Sequence, residues 1–218
     1  MTRMIGAEDA LRRLRDGNQT FVADVQREHT VTGSTRRLEL AAGQAPFAIV
    51  LGCSDSRVPA EIVFGQGLGD LFVIRVAGNI VAPSQIGSVE FAAERFGTRL
   101  VVVLGHSRCG AILATLEELA RGSADRSRNL QSIVDRVRPS VEPLVGTALG
   151  RDPEALVRHA VRANIRVSVD QLRHGSDVLE DLISHDGLVI VGAEYSLETG
   201  VVDFFEGVPD AWLAPARR

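Results

Sequence analysis

The sequence has no lysine; all 24 of its basic residues are arginine. That excludes Schiff-base chemistry and any phosphate loop that depends on a lysine. Cysteine is almost as scarce, with Cys53 and Cys109 alone in 218 residues. Two cysteines do not make a disulfide scaffold, so they are expected to be buried, catalytic or metal-bound in a reducing compartment. Long apolar runs are missing as well. Phe47–Leu51 and Leu100–Leu104 are the longest, far below the about 18 residues of a membrane span. The opening Met-Thr-Arg-Met-Ile-Gly-Ala-Glu-Asp has acids where a secretion signal needs an apolar core, so a cytoplasmic setting is expected. Positive charge is not in excess either. With 28 acidic residues the formal net charge is −4, which argues against a nucleic-acid partner held by its phosphates. What is present is a hydrophobic fraction of 45 %, enough for a sizeable core. A single domain over residues 1–218 is expected, with an N-terminal helical arm at about 1–42.

Ala7 to about Val25 reads as an amphipathic helix interrupted near Gly17-Asn18, and a second short helix is expected from about Thr35 to Ala42. Phe47–Leu51, Leu71–Val76, Leu100–Leu104 and Leu188–Val191 are unalternating apolar runs rich in β-branched residues. Such runs suit strands buried on both faces, as in a parallel sheet. Helical patterns fall between them at Ser84–Phe96 and Cys109–Ala120. Asp152-Pro153 reads as a cap followed by a proline that opens a helix to about Arg173, and Ser176 reads as the cap of one more, ending near Gly187. Residues 121–151 are polar and proline-bearing. They suit a flexible excursion, yet Ile133–Val137 is too apolar for a domain linker. After Tyr195, Leu197–Gly200 reads as a turn into Val201–Phe205, a terminal hairpin. The expected fold is α/β: a mostly parallel central sheet of about four parallel strands plus an antiparallel edge strand, flanked by helices.

In such sheets, sites form at the carboxyl ends of strands. The first strand runs into Gly52-Cys53-Ser54-Asp55-Ser56-Arg57 and the third into Gly105-His106-Ser107-Arg108-Cys109-Gly110. Neighbouring parallel strands would bring these ends together. Cys53, His106 and Cys109 then supply two thiolates and an imidazole, a set suited to Zn²⁺ with its fourth position open or weakly held. A free cysteine is ordinarily just a small buried apolar residue. The joint placement of both cysteines at adjacent strand ends, beside Asp-x-Arg, argues otherwise. The remaining histidines, His29, His159, His174 and His185, read as surface residues. Three rival motifs fail. Gly65–Gly69 precedes a strand instead of opening a helix, so it is a turn and not a phosphate loop. Ser107 lacks the final glycine of a nucleophile elbow. A cysteine nucleophile served by His106 would leave Cys53 without a role.

Cys53–Arg57 with Val58-Pro59-Ala60-Glu61, and Gly105-His106-x-x-Cys109-Gly110, resemble the two zinc motifs of the β-class carbonic anhydrases. Gly69–Arg75, Ala77-Gly-Asn79, Gly87–Phe91 and Gly17-Asn18 fit the same family. Val76 and Phe91 depart from its frequent Asn and Tyr. The resemblance runs from about residue 7 to 207 and lies nearer the plant-type subclass. It implies zinc bound by Cys53, His106 and Cys109, and reversible hydration of carbon dioxide to bicarbonate and a proton by a zinc-bound hydroxide. Asp55 would accept a hydrogen bond from the hydroxide. Arg57 would keep Asp55 off the metal, where it is otherwise a possible fourth ligand in a closed state. Gln44, Phe72, Phe91 and Gly110 would line the substrate pocket, formed between two chains of a homodimer or tetramer. Hydrolysis of carbonyl sulfide or carbon disulfide on the same scaffold is the nearest alternative. A non-catalytic zinc-binding relative would be expected to have lost Asp55 or Arg57, and both are present. One branch of the family holds bicarbonate away from the metal using an arginine, a tyrosine and a tryptophan. Arg75 and Tyr195 match the first two, but Val50 stands where the tryptophan would be, so this off state is expected to be missing and Arg75 to be structural, with an ion pair at the interface between chains as one such role.

Overall fold

A computed structural model describes residues 5–23, 34–121 and 127–212 of the chain. Strands β1 (Ala48–Gly52), β2 (Leu71–Arg75), β3 (Leu100–His106), β4 (Val189–Tyr195) and β5 (Val202–Glu206) form one sheet in the order β2-β1-β3-β4-β5. The first four are mutually parallel and β5 is antiparallel to β4. The helices are α1 (Ala7–Val22), α2 (Ser34–Ala41), α3 (Ala60–Val63), α4 (Pro83–Phe96), α5 (Gly110–Arg121), α6 (Arg128–Val145), α7 (Pro153–His174) and α8 (Asp177–His185). This is the expected architecture. Every residue of β1 and β3 is buried, which is why neither run alternates. Ile49, Leu51, Val101 and Val103 face a core built with α4, α6, α7 and α8. Ala48, Val50, Val102 and Leu104 face the opposite core, closed by α1 and α3. Among the described residues no helix is long and apolar enough to cross a membrane.

The expected caps are in place. Asp152 accepts the Ala155 amide at 3.0 Å and Ser176 the Leu179 amide at 3.2 Å. Gly65 and Gly69 have φ of 57° and 82° and lie in the turn ahead of β2. His159, His174 and His185 are exposed, while His29 lies outside the described residues.

Two expectations are corrected. Helix α1 runs unbroken through Gly17-Asn18. The glycine is there for contact: a Cβ at Gly17 would lie 1.8 Å from the Phe64 carbonyl oxygen. Asn18 extends the junction, donating to the carbonyls of Val63 (3.1 Å) and Gly200 (2.8 Å) and accepting from the Val202 amide (2.9 Å). Gly17→Ala should therefore destabilise the protein by about 1–3 kcal/mol, although alanine ordinarily gains about 1 kcal/mol over glycine in a helix. A urea midpoint equal to or above wild type would contradict this contact. The second correction concerns residues 121–151, which hold the regular helix α6 with Pro139 and Pro143 inside it. Val134, Val137 and Val141 are buried on one face, whereas both prolines are exposed on the other. The carbonyls deprived of an amide partner, those of Asp135 and Pro139, also belong to exposed residues. The packed stripe outweighs two forfeited hydrogen bonds, each worth about 1 kcal/mol net.

Candidate metal centre

Cys53 follows the last residue of β1, His106 ends β3, and Cys109 immediately precedes α5. The parallel register of β1 on β3 sets Gly52 against Leu104 and so delivers these ends to one place. The two sulfurs are 4.0 Å apart, and the two sulfurs and the imidazole lie within 4.8 Å of one another. All three side chains are buried, with residue exposures of 6 %, 0 % and 1 %. His106 Nδ1 donates to the Ser107 carbonyl at 2.9 Å, which leaves Nε2 as the lone-pair nitrogen. Among the described residues that Nε2 has no hydrogen-bond partner; it is buried and lies 3.8 Å from Asp55 Oδ2.

The electrostatics follow from this crowding. The Cys53 thiol is pulled down, chiefly by the hydrogen bond from Cys109 and against its burial, with help from His106 and the Gly78 amide. The same sulfur–sulfur hydrogen bond, and then burial, drive the Cys109 thiol upward. Burial works against the imidazolium form of His106, yet the neighbouring Cys53 sulfur outweighs it and moves His106 upward. Packed electron-rich atoms are the common cause, and a divalent cation relieves them more fully than shared protons do. Two sulfurs and an imidazole within 4.8 Å of one another, the imidazole Nε2 buried and unpartnered among the described residues, fit Zn²⁺.

Asp55 is held beside this triplet by Arg57. The guanidinium donates to Oδ1 at 2.9 Å and Oδ2 at 2.7 Å, and the Arg57 amide donates to Oδ1 at 3.0 Å. Those bonds hold the Asp55 carboxyl well below the usual carboxylate range. Among the described residues Arg75 pairs with no carboxylate. Its Nε donates to the Cys53 carbonyl at 3.0 Å and its Nη2 to the Asp55 carbonyl at 2.5 Å, so it pins the loop that carries both residues.

A contact that sequence reasoning did not single out comes from the β4–β5 turn. Arg108, between His106 and Cys109, has φ of 53°, a left-handed conformation uncommon for arginine. Glu198 spans the strained segment, meeting Arg108 Nε at 2.8 Å and accepting from Ser107 Oγ at 2.8 Å. Ser107 Oγ in turn accepts the Leu197 amide at 3.0 Å. The Ser107 hydroxyl is thus part of a brace, in line with its rejection as a nucleophile. The pairing of His106 with Tyr195 puts this turn beside the Cys-His-Cys triplet. A hairpin turn directly following a strand next to the site is the sequence signal that points to Glu198.

The expected pocket residues divide. Gly110 opens α5 next to Cys109 and has open space around its Cα. Gln44 precedes the amino end of β1, and Phe72 pairs with Ile49 near that same end. Phe72 packs at a tilt against Phe91 (6.1 Å between ring centroids) and Phe96 (6.0 Å), and Phe91 is 52 % exposed. Within one chain, then, Gln44, Phe72 and Phe91 are not brought to the Cys-His-Cys triplet, which lies at the sheet's other end.

The family model for carbonic anhydrase matches residues 48–202, the stretch from β1 to the start of β5. The chain belongs to the β-carbonic anhydrase family. It is 39 % identical over 191 residues to carbonic anhydrase 2 of Mycobacterium tuberculosis, covering 88 % of this chain and 89 % of that one. Identity to the carbonic anhydrase of Mycolicibacterium smegmatis is 41 % over 196 residues, covering 89 % and 91 %. Among solved structures, the β-carbonic anhydrase CcaA matches with a TM-score of 0.70 at 26 % identity, over 93 % of this chain and 94 % of that one. One of two tetrameric β-carbonic anhydrases from Sordaria macrospora matches with a TM-score of 0.66 at 26 % identity, over 78 % and 85 %. Carbonic anhydrases are lyases that hydrate carbon dioxide, and the family assignment carries that activity class.

Proposed function

We propose that Cys53, His106 and Cys109 hold Zn²⁺ and that the centre so formed hydrates carbon dioxide reversibly to bicarbonate and a proton. The observation that carries this is the buried Cys53, His106 and Cys109 triplet, whose His106 Nε2 has no hydrogen-bond partner among the described residues and lies 3.8 Å from an arginine-held carboxylate. Zinc at such a site supplies a Lewis acid that lowers the pKa of a water toward 7. The two thiolates cancel the ion's charge, so the chain's own residues must assist. Asp55 Oδ2 accepts a hydrogen bond from the attacking water and fixes the lone pair that meets the carbon. Arg57 occupies both oxygens of Asp55 and so keeps that carboxylate from serving as a ligand itself.

Carbon dioxide is apolar and needs an apolar wall instead of a charge clamp. Phe72 and Phe91 supply that wall, and Gln44 an amide, to a neighbouring copy of the chain, in a homodimer or a tetramer. Their distance from their own triplet and the exposure of Phe91 support that reading. Both cores share one sheet, which supports one domain, and two free cysteines at the site suit a cytoplasmic setting. Stopped-flow hydration of carbon dioxide, run beside hydrolysis of carbonyl sulfide and carbon disulfide, tests the substrate. Carbon dioxide should be the strongly preferred one. A protein that hydrolyses carbonyl sulfide or carbon disulfide and leaves carbon dioxide untouched would overturn the assignment.

A bicarbonate off state is not expected in this chain. Val50 is fully buried in the apolar core and offers no donor, and Arg75 already spends Nε and Nη2 on loop carbonyls. Losing a hydrogen bond to a charged group costs about 1.5–3 kcal/mol, a weakening of roughly ten-fold or more. Bicarbonate should accordingly inhibit without cooperativity. Steeply cooperative inhibition, with the anion seen between Arg75 and Tyr195, would place the chain in the other branch.

A further inference from the structure

The Gly78 amide donates to the Cys53 sulfur at 3.3 Å. It belongs to the short turn Ala77–Asn79, whose last two residues are left-handed, Gly78 at φ 74° and Asn79 at φ 43°. Such a turn needs an external hold, and helix α7 provides it. Asn164 Nδ2 donates to the Gly78 carbonyl at 2.8 Å, and Ser168 Oγ donates to the Asn79 carbonyl at 3.0 Å. From α6, Ser140 Oγ reaches Asn164 Oδ1 at 3.3 Å. Asn79, Asn164 and Ser168 are each 2 % exposed. On α7, Asn164 and Ser168 interrupt a buried stripe of Ala160, Val161, Ile165, Val169 and Leu172. Buried polar groups are costly unless bonded, and both of these donors are spent on one turn. The helix is seated tightly enough to hold it. A Cβ at Gly105, next to His106, would lie 2.5 Å from Ile165 Cδ1, and one at Gly192 would lie 2.8 Å from Ile165 Cγ2.

We propose that Asn164 and Ser168 are positioning residues that hold the Gly78 amide on the Cys53 sulfur and so set how strongly that sulfur donates to the metal. The inference rests on the reading that Cys53 is a ligand. A hydrogen bond to a ligating thiolate withdraws electron density from it and leaves the ion a better Lewis acid. In a site whose two thiolates already neutralise the ion, that correction matters for turnover.

The test uses the full-length protein loaded with cobalt(II), whose sulfur-to-cobalt absorption reports the donor strength of the thiolates. Asn164→Ala and Ser168→Ala should move that absorption to longer wavelength. The zinc-loaded forms should lose about ten-fold or more in kcat, with KM little changed. Val169→Ala, on the same buried stripe but off the turn, and Ser168→Thr, which keeps the hydroxyl, should absorb where the wild type does. If Asn164→Ala does not fold, Ser168→Ala still decides, because alanine favours the helix. Wild-type absorption in both alanine variants would overturn the inference. The absence of any sulfur-to-cobalt absorption in the wild type would instead overturn the ligand reading beneath it.

Discussion

Replacing Cys53 and Cys109 together by serine should take zinc from about one per chain to near none. Serine is a poor ligand at neutral pH, and His106 alone cannot hold the ion. The fold should weaken as well. All three positions are buried, and without the metal His106 Nε2 and two hydroxyls must find other partners. An unsatisfied buried polar group costs about 1–3 kcal/mol. For a chain of this size, a loss of about 2–3 kcal/mol lowers the melting temperature by roughly 5–10 °C. Elemental analysis and a thermal melt read both effects. Full zinc occupancy in the double variant would remove the ligand assignment altogether.

Asp55→Asn should keep the zinc and the fold yet lose about 100-fold or more in carbon dioxide hydration. The change is nearly isosteric, and Arg57 retains one oxygen to bind. At the position 3.8 Å from His106 Nε2, however, an acceptor becomes a donor and the attacking water is no longer held in its reactive orientation. Arg57→Ala should also lower turnover by a different route, because the freed carboxylate can then swing onto the metal and compete with water. The double variant should be no slower than Asp55→Asn alone, since without a carboxylate the guanidinium has nothing to restrain. A strictly additive loss would show that Arg57 acts elsewhere. The pH dependence follows from the same pair. The folded-state pKa of Asp55 is depressed by Arg57, so its ion pair is present above the ordinary carboxylate pKa of about 3.9. That stabilisation is lost only as pH falls through the lower folded value. Between pH 6.5 and 9 Asp55 is ionised throughout. Activity should nevertheless rise across that window, reporting the proton that leaves the attacking water. A flat profile in a protein that stays folded would count against the mechanism.

The strands and the clustering of Cys53, His106 and Cys109 were legible for one physical reason. A strand buried on both faces has no alternation to hide in, so Phe47–Leu51 and Leu100–Leu104 announce themselves and put Cys53 and His106 at their carboxyl ends. Gly17 was not legible, because a glycine that breaks a helix and one that admits a neighbouring carbonyl read alike. Nor were Pro139 and Pro143, whose cost depends on which face of α6 they occupy, and only packing decides that. Glu198, Asn164 and Ser168 escaped because they act through hydrogen bonds to turns remote in sequence: Ser168 meets Asn79 across 89 residues. The pocket posed a different problem. Gln44, Phe72 and Phe91 sit at the wrong end of their own sheet for their own triplet, so a reading of one chain can name them without placing them.

The most direct test is stopped-flow carbon dioxide hydration on one preparation in three states: as purified, after removal of zinc by a chelator, and after zinc is returned, with metal content measured each time. Hydration should follow zinc occupancy down and back up, and magnesium should not substitute, because two thiolates and an imidazole favour a softer ion. Undiminished hydration in protein shown to be free of zinc would contradict the account at its centre.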